Sequence, residues 1–385
     1  MLPRPSGSET LSLDLSRLKG LAARLGCKEA GGFGTREQLR RINLALGKRL
    51  ADGGAGKRAT SVQALVEADA SLPAEIRTPN STAAIAEVDR LRHDGCLDLG
   101  QRLGGAQAAE VERYLRSRPL RVGHVPRHWE RRVASVDDVP RDRNFACYDH
   151  LDLWSSPHLL EFASQDGLLD LVQGYLGCTP TLCSLNAYWS LPERPADPEL
   201  QAFHRDLDDC RSLVVFTLLT PVELPEEGAH FYVEKSHDPA LLEASLRAEG
   251  VGTKLDYLLA GPFVAPMTMR LFSRSARRFQ GPAGASLCAD GFGLHRSVVP
   301  RSRPKLLLEL RFGTFFNEGI YDLKLNGDSG ARRAVRRALS PLLRIGALFD
   351  QTRREQARAI LGRIPATPRH QYIFRYMIRE LSAEA

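Results

Sequence analysis

Apolar positions first recur along this chain at helical spacing. Leu15, Leu18, Ala22 and Leu25 precede Gly26. Leu39, Ile42, Leu46 and Leu50 follow Thr35 and Gln38, which make a capping box. These predict two amphipathic helices. Gly53-Gly54-Ala55-Gly56-Lys57 then reads as a flexible linker, because it lacks the Gly-x-x-x-x-Gly-Lys-Ser/Thr pattern of a phosphate loop and no strand precedes it. Beyond the linker, Ile85, Val88 and Leu91 share a helical face before Asp94-Gly95, and Val111, Tyr114 and Leu115 mark another helix. Ser156-Pro157 predicts a third helix, with Ser156 as cap and proline at its first position. From Thr181 to Leu191 the pattern alternates, with Asn186, Tyr188 and Ser190 on one face and Leu185, Ala187 and Trp189 on the other. Ser212–Leu219 is a continuous β-branched and aromatic run, the pattern of a buried strand. Shorter strand patterns follow at Gly228–Val233, from Gly281-Pro282-Ala283-Gly284 to Asp290, at Leu294–Ser297 and at Leu306–Phe312.

This order predicts a mainly β protein with flanking helices. Its core is a double-stranded β-helix, the cupin-like jelly roll, of antiparallel strands between about residues 180 and 315, with helices packed on one sheet. The chain divides into a helical appendage with its linker over 1–79, the jelly-roll domain over 80–325 and a basic helical tail over 326–385. The length of 385 residues and 43% apolar content suit one large domain with additions. No apolar run approaches the roughly 18 residues of a spanning helix, and the amino terminus carries no secretory pattern, so the expectation is a cytoplasmic protein without a membrane span. Seven scattered cysteines, Cys27, Cys96, Cys147, Cys178, Cys183, Cys210 and Cys288, show no paired spacing and read as reduced thiols. Asn80-Ser81-Thr82 matches a glycosylation acceptor but reads as a helix start capped by Ser81.

Charge is unevenly placed. From Ala331 onward there are 12 arginines and 4 acids, 12 − 4 = +8, whereas the whole chain is +7, leaving 7 − 8 = −1 for the rest. Such a tail can attract an anionic partner. The apolar residues Val335, Leu339, Leu342 and Leu343 beneath the charge favour amphipathic packing instead, and Tyr372, Phe374 and Tyr376 sit in a stretch spaced for burial. Without the aromatic interleaving of a base-stacking surface, nucleic acid is not the expected partner.

The densest chemistry lies at His204-Arg205-Asp206. On an extended strand positions i and i+2 share a face, so an imidazole and a carboxylate point at one metal. His295, 295 − 206 = 89 residues past the aspartate, completes a two-histidine, one-carboxylate set that leaves coordination positions open. His230 and His237 are the rival imidazoles. The first starts a strand and the second lies in a Ser-His-Asp-Pro turn, so both are expected to be structural.

The ordered series of His204-Arg205-Asp206, the strand after Ser212, Gly228-Ala229-His230-Phe231-Tyr232-Val233 with Ser236-His237, Leu294-His295-Arg296-Ser297 and Arg303-Pro304-Lys305 resembles the phytanoyl-CoA dioxygenase-like family over roughly residues 80–320. These are oxygenases dependent on iron(II), 2-oxoglutarate and dioxygen. The resemblance implies hydroxylation of an unactivated carbon of a small molecule with release of succinate and carbon dioxide. It also implies a strand after Thr181 that lines the cosubstrate pocket, with Asn186 and Tyr188 as candidates. Because related halogenases replace the carboxylate by a small residue, Asp206 favours hydroxylation. Family members place an arginine about ten residues after the second histidine, where this chain has Lys305. Arg303 would share a face with it and is the expected anchor for the distal carboxylate, with Lys305 as rival and Ser297 in support. Arg301 and Arg311 rank lower, the first for lying in the loop and the second for lying at the far end of the strand. Two other classes fit the same triad. One is a metal-dependent cupin-type hydrolase or isomerase, and the other a non-catalytic binding module that uses the basic tail. Substrate identity and oligomeric state are not legible.

Overall fold

The computed structural model describes residues 85–122, 131–195, 201–206, 211–248, 272, 276–313 and 347–384. The two amino-terminal helices, the glycine linker, the Ser81 cap, the Val335–Leu343 stripe, Cys27 and Cys210 lie outside them. In chain order the elements are α1 (Ile85–Asp94), β1 (Cys96–Gln101), α2 (Gly105–Arg116), β2 (Leu120–Val122), β3 (Arg131–Val133), β4 (Phe145–Tyr148), α3 (His150–Ser155), α4 (Leu159–Ala163), α5 (Asp166–Leu176) and β5 (Thr181–Ser190). They continue with β6 (Ser212–Leu218), β7 (His230–Val233), α6 (Pro239–Ala248), β8 (Ala276–Phe279), β9 (Ala285–Asp290), β10 (His295–Ser297), β11 (Lys305–Gly313), α7 (Ala347–Arg363), α8 (Pro368–Ile373) and α9 (Arg375–Glu384).

Eight strands form one sheet in the order β1-β9-β6-β11-β5-β4-β2-β3, and β10-β7-β8 form a second; the paired strands run antiparallel. The two sheets enclose a core between them, as the jelly-roll pattern predicts. Strand β11 shows how the sequence specifies both faces. Its even positions Leu306, Leu308, Leu310 and Phe312 join Ala187, Trp189, Leu213 and Val215 in a core shared with the helices. On its odd positions, Leu307 meets Tyr188, Val214, Phe216, Leu287 and residues Phe231–Val233 of β7 in the second core, between the sheets. Lys305, Glu309 and Arg311 share that inner face by alternation.

Helices α1 to α5 cover the outer face; Val88, Leu91, Val111 and Leu115 are buried, whereas Ile85, expected on the same face as Val88 and Leu91, is 78% exposed and Tyr114 is only partly buried. Ser156-Pro157 does not begin a helix. Asp149 caps α3 by accepting from the Leu151 N–H at 3.1 Å, so that helix starts earlier and Ser156 closes it. Helix α4 starts only after His158, whose φ is 64°. The carboxy-terminal helices join the same core through Ala357, Ile360, Tyr372, Ile373, Phe374, Met377 and Leu381. Two tail arginines pair with the earlier helices, Arg369 with Asp170 at 2.6 Å and Arg363 with the exposed Glu161 at 3.0 Å. Among the described residues no helix is long and apolar enough to cross a membrane.

Candidate metal centre

His204 and His295 are brought together by backbone. The His204 N–H donates to the His295 carbonyl at 2.9 Å, and the His295 N–H donates back at 3.0 Å. The Asp206 N–H donates to the Gly291 carbonyl at 2.8 Å, which keeps the segment extended beyond the bridge. Alternation then turns the side chains of His204 and Asp206 to one side and Arg205 to the other. Arg205 is 2% exposed and donates to the Phe292 carbonyl at 2.9 Å, so the residue between the two candidate ligands ties the segment down. Gly293 is needed for close approach, since a Cβ there would lie 1.9 Å from the Tyr232 hydroxyl oxygen.

One ligand-type atom from each of His204, Asp206 and His295 lies within 4.8 Å of the others, a separation one ion can bridge. The rings stand 4.4 Å apart between centroids. His204 Nδ1 is 2.9 Å from the Ala202 carbonyl oxygen and His295 Nδ1 is 2.9 Å from that of Gly293. A carbonyl only accepts, so each Nδ1 carries a proton and each Nε2 is the ring nitrogen left to face a metal. Desolvation, followed by the neighbouring His295, lowers the His204 imidazole to about 4, which keeps it neutral. Asp206 Oδ2 is 3.6 Å from His295 Nε2 and 2.9 Å from Arg311 Nη2, which also reaches Glu309 Oε1 at 2.7 Å. The donor set, two imidazoles and an oriented carboxylate, fits a divalent iron-type ion.

The expected anchor residues separate. Arg303 is exposed and precedes β11, and its backbone N–H donates to Glu227 Oε2 at 3.1 Å. Ser302 binds the same carboxylate through both its N–H and its hydroxyl, so this loop is turned toward solvent and the expected alternation of Arg303 with Lys305 is not realised. Lys305 is 1% exposed, and its Nζ donates to Ser297 Oγ and to the Gly228 carbonyl, both at 2.6 Å. Burial lowers its ammonium to about 7. Tyr188 is buried on the inner face, with its ring 4.8 Å from that of Phe145, and its hydroxyl is held well above the usual range by burial, then by Glu309 and Asp206. Asn186 is exposed and donates to Ser184 Oγ at 2.9 Å.

Of the rival imidazoles, His237 is buried beside α1, with Nε2 2.9 Å from the Arg92 carbonyl oxygen. His230 lies nearer the triad, its ring 5.6 Å from that of His295 and 4.2 Å from that of Phe216. Burial, then His295, Lys305 and His204, hold its imidazole well below the usual range. The parts least visible in the sequence reading are Arg311, Glu309 and His230. The alternation Lys305-Leu306-Leu307-Leu308-Glu309-Leu310-Arg311-Phe312 carries the signal for the first two, because it puts every charged side chain on the face opposite the helices.

No protein-family model matches the chain, and no curated protein matches it. Among solved structures it is similar to the non-heme alpha ketoglutarate dependent epimerase SnoN from nogalamycin biosynthesis, at 17% identity over 60% of this chain and 82% of that one, with a TM-score of 0.41. It is also similar to HygX from Streptomyces hygroscopicus, solved with nickel and 2-oxoglutarate bound, at 16% identity over 61% of this chain and 89% of that one, TM-score 0.39. A third is EvdO2 from Micromonospora carbonacea var. aurantiaca complexed with 2-oxoglutarate, at 16% identity over 61% and 92%, TM-score 0.39.

Proposed function

We propose that the protein is a non-haem iron(II)- and 2-oxoglutarate-dependent oxygenase that hydroxylates an unactivated carbon of a small molecule. The observation that carries this reading is a pair of features on one inner surface: the triad His204, Asp206 and His295 with both Nδ1 atoms tied to carbonyls, and the buried ammonium of Lys305 beside Ser297. Iron held by the triad supplies the oxidising chemistry when 2-oxoglutarate and dioxygen are bound. Arg311 keeps Asp206 in its orientation. Lys305 and Ser297 receive the distal carboxylate of the 2-oxo acid through charge-assisted hydrogen bonds. Tyr188, kept protonated, offers a donor to the ligand on the same face, with Asn186 at the solvent-reached part of the strand. A hydrolase or isomerase on the same triad has no use for a buried cation in this place, and that favours the oxygenase.

The test is anaerobic addition of iron(II) and then 2-oxoglutarate, following the visible absorption of the chelate. The wild-type protein should develop the band. His295→Ala should lose iron affinity by about 100-fold or more, since even residues that merely support metal ligands are worth about 10–100-fold. Succinate release and gain of one oxygen atom in the product would then establish hydroxylation. A product without added oxygen would reject hydroxylation and retain the cofactor reading, and normal iron binding in His295→Ala would refute the triad.

A further inference from the structure

His230 is 4% exposed, and neither of its ring nitrogens has a hydrogen-bond partner among the described residues. Leaving a buried imidazole without partners is destabilising, so a side chain of this kind points to something else that meets the need. Its surroundings say what that is. Strand β7 pairs with β10 so that His230 lies directly opposite Ser297, a position at which Cβ atoms are about 5 Å apart. Ser297 Oγ receives the Lys305 ammonium, which also binds the carbonyl of Gly228, two residues before His230. On its other side the ring stacks toward His295 at an interplanar angle of 25°. Phe216 covers one face and offers no hydrogen bond of its own. His230 thus stands between the metal triad and the Lys305–Ser297 pair, on the path a ligand must follow if it binds the metal at one end and the ammonium at the other.

We infer that His230 is a third member of the carboxylate clamp: its ring N–H donates to the distal carboxylate of the dicarboxylic 2-oxo acid, alongside Lys305 Nζ and Ser297 Oγ. This rests on the oxygenase reading and extends it. A lysine is a point charge that does not fix the plane of a carboxylate as an arginine fork does. A neutral imidazole beside it supplies the second directed donor, so the chain obtains from two strands the two-point grip that a single guanidinium gives. The histidine expected to be structural is on this reading a ligand-binding residue.

The experiment measures dissociation constants on the iron(II)-loaded full chain under anaerobic conditions, by chelate absorption and by calorimetry. The two probes are 2-oxoglutarate and 2-oxobutyrate, which keeps the chelating end and lacks the second carboxylate. His230→Phe keeps the ring and removes both nitrogens, whereas His230→Gln retains a donor. Loss of one hydrogen bond to a charged group predicts that His230→Phe weakens 2-oxoglutarate by about tenfold or more. It should leave 2-oxobutyrate and iron content unchanged, and His230→Gln should recover part of the loss. Wild-type affinity for 2-oxoglutarate in both variants would overturn the assignment, and so would equal weakening of both probes, because the ring would then serve the metal end. Failure of the wild-type protein to bind 2-oxoglutarate at all would instead reject the oxygenase reading on which the clamp depends.

Discussion

At the scale of single residues the proposed cosubstrate pocket turns on Lys305. Its folded value is about 7 against 10.5 for a free lysine, because burial disfavours the ammonium. Between those values the unfolded chain holds a proton that the folded chain lacks, so this group makes the protein more stable as pH rises across that window. Binding runs the other way. A carboxylate needs the ammonium, so affinity for 2-oxoglutarate should fall above about pH 7, by up to about tenfold per pH unit. Calorimetric titration across that range checks the slope, and Lys305→Met should remove the pH dependence together with most of the affinity. The grouping of His204, Asp206 and His295 was legible in the sequence because residue type and i, i+2 alternation carry it. The separation of exposed Arg303 from buried Lys305 was not. It depends on where the loop before β11 releases the chain, and Glu227, some 75 positions away, decides that by binding Ser302 and Arg303.

At the scale of elements, the strands were readable because their apolar residues keep a period of two and the sheet has one face against helices. Ser212–Leu218 and Lys305–Gly313 fall within a residue of the expected runs. The third helix was misread because local cap chemistry at Ser156-Pro157 is weaker evidence than the Asp149 cap that begins the preceding helix. Two substitutions test how tightly the elements are joined. Gly284 has φ +89°, and a Cβ there would lie 1.8 Å from the Leu103 carbonyl oxygen, so Gly284→Ala must move backbone. It should cost more than the roughly 1–3 kcal/mol of a single strained residue. Leu308, fully buried between the sheet and the helices, should cost about 2–5 kcal/mol as Leu308→Ala. Urea denaturation measures both, and a loss under about 1 kcal/mol for either would show that the packing described is not what stabilises the sheet.

Across the whole molecule, the helices after residue 347 belong to the same core as the sheet, and only the burial of Tyr372 and Phe374 was legible from spacing. The tail's long-range partners, Asp170 for Arg369 and Glu161 for Arg363, are set by tertiary placement that no local pattern encodes. Removing residues 347–385 should uncover Leu151, Trp154 and their neighbours and leave a chain without a cooperative thermal transition. A truncated chain that melts sharply at the wild-type temperature would show the tail to be dispensable.

The backbone bridge between His204 and His295 has a thermodynamic consequence of its own. The two residues stand 295 − 204 = 91 positions apart, and their mutual hydrogen bonds already close the intervening loop. An ion joining the two rings therefore saves almost none of the loop-closure entropy that makes a structural zinc indispensable to a small domain. Its grip comes from coordination bonds alone. Stripping the ion with a chelator should leave the circular dichroism spectrum unchanged, and an ion lost in service could be replaced without the chain having to fold again.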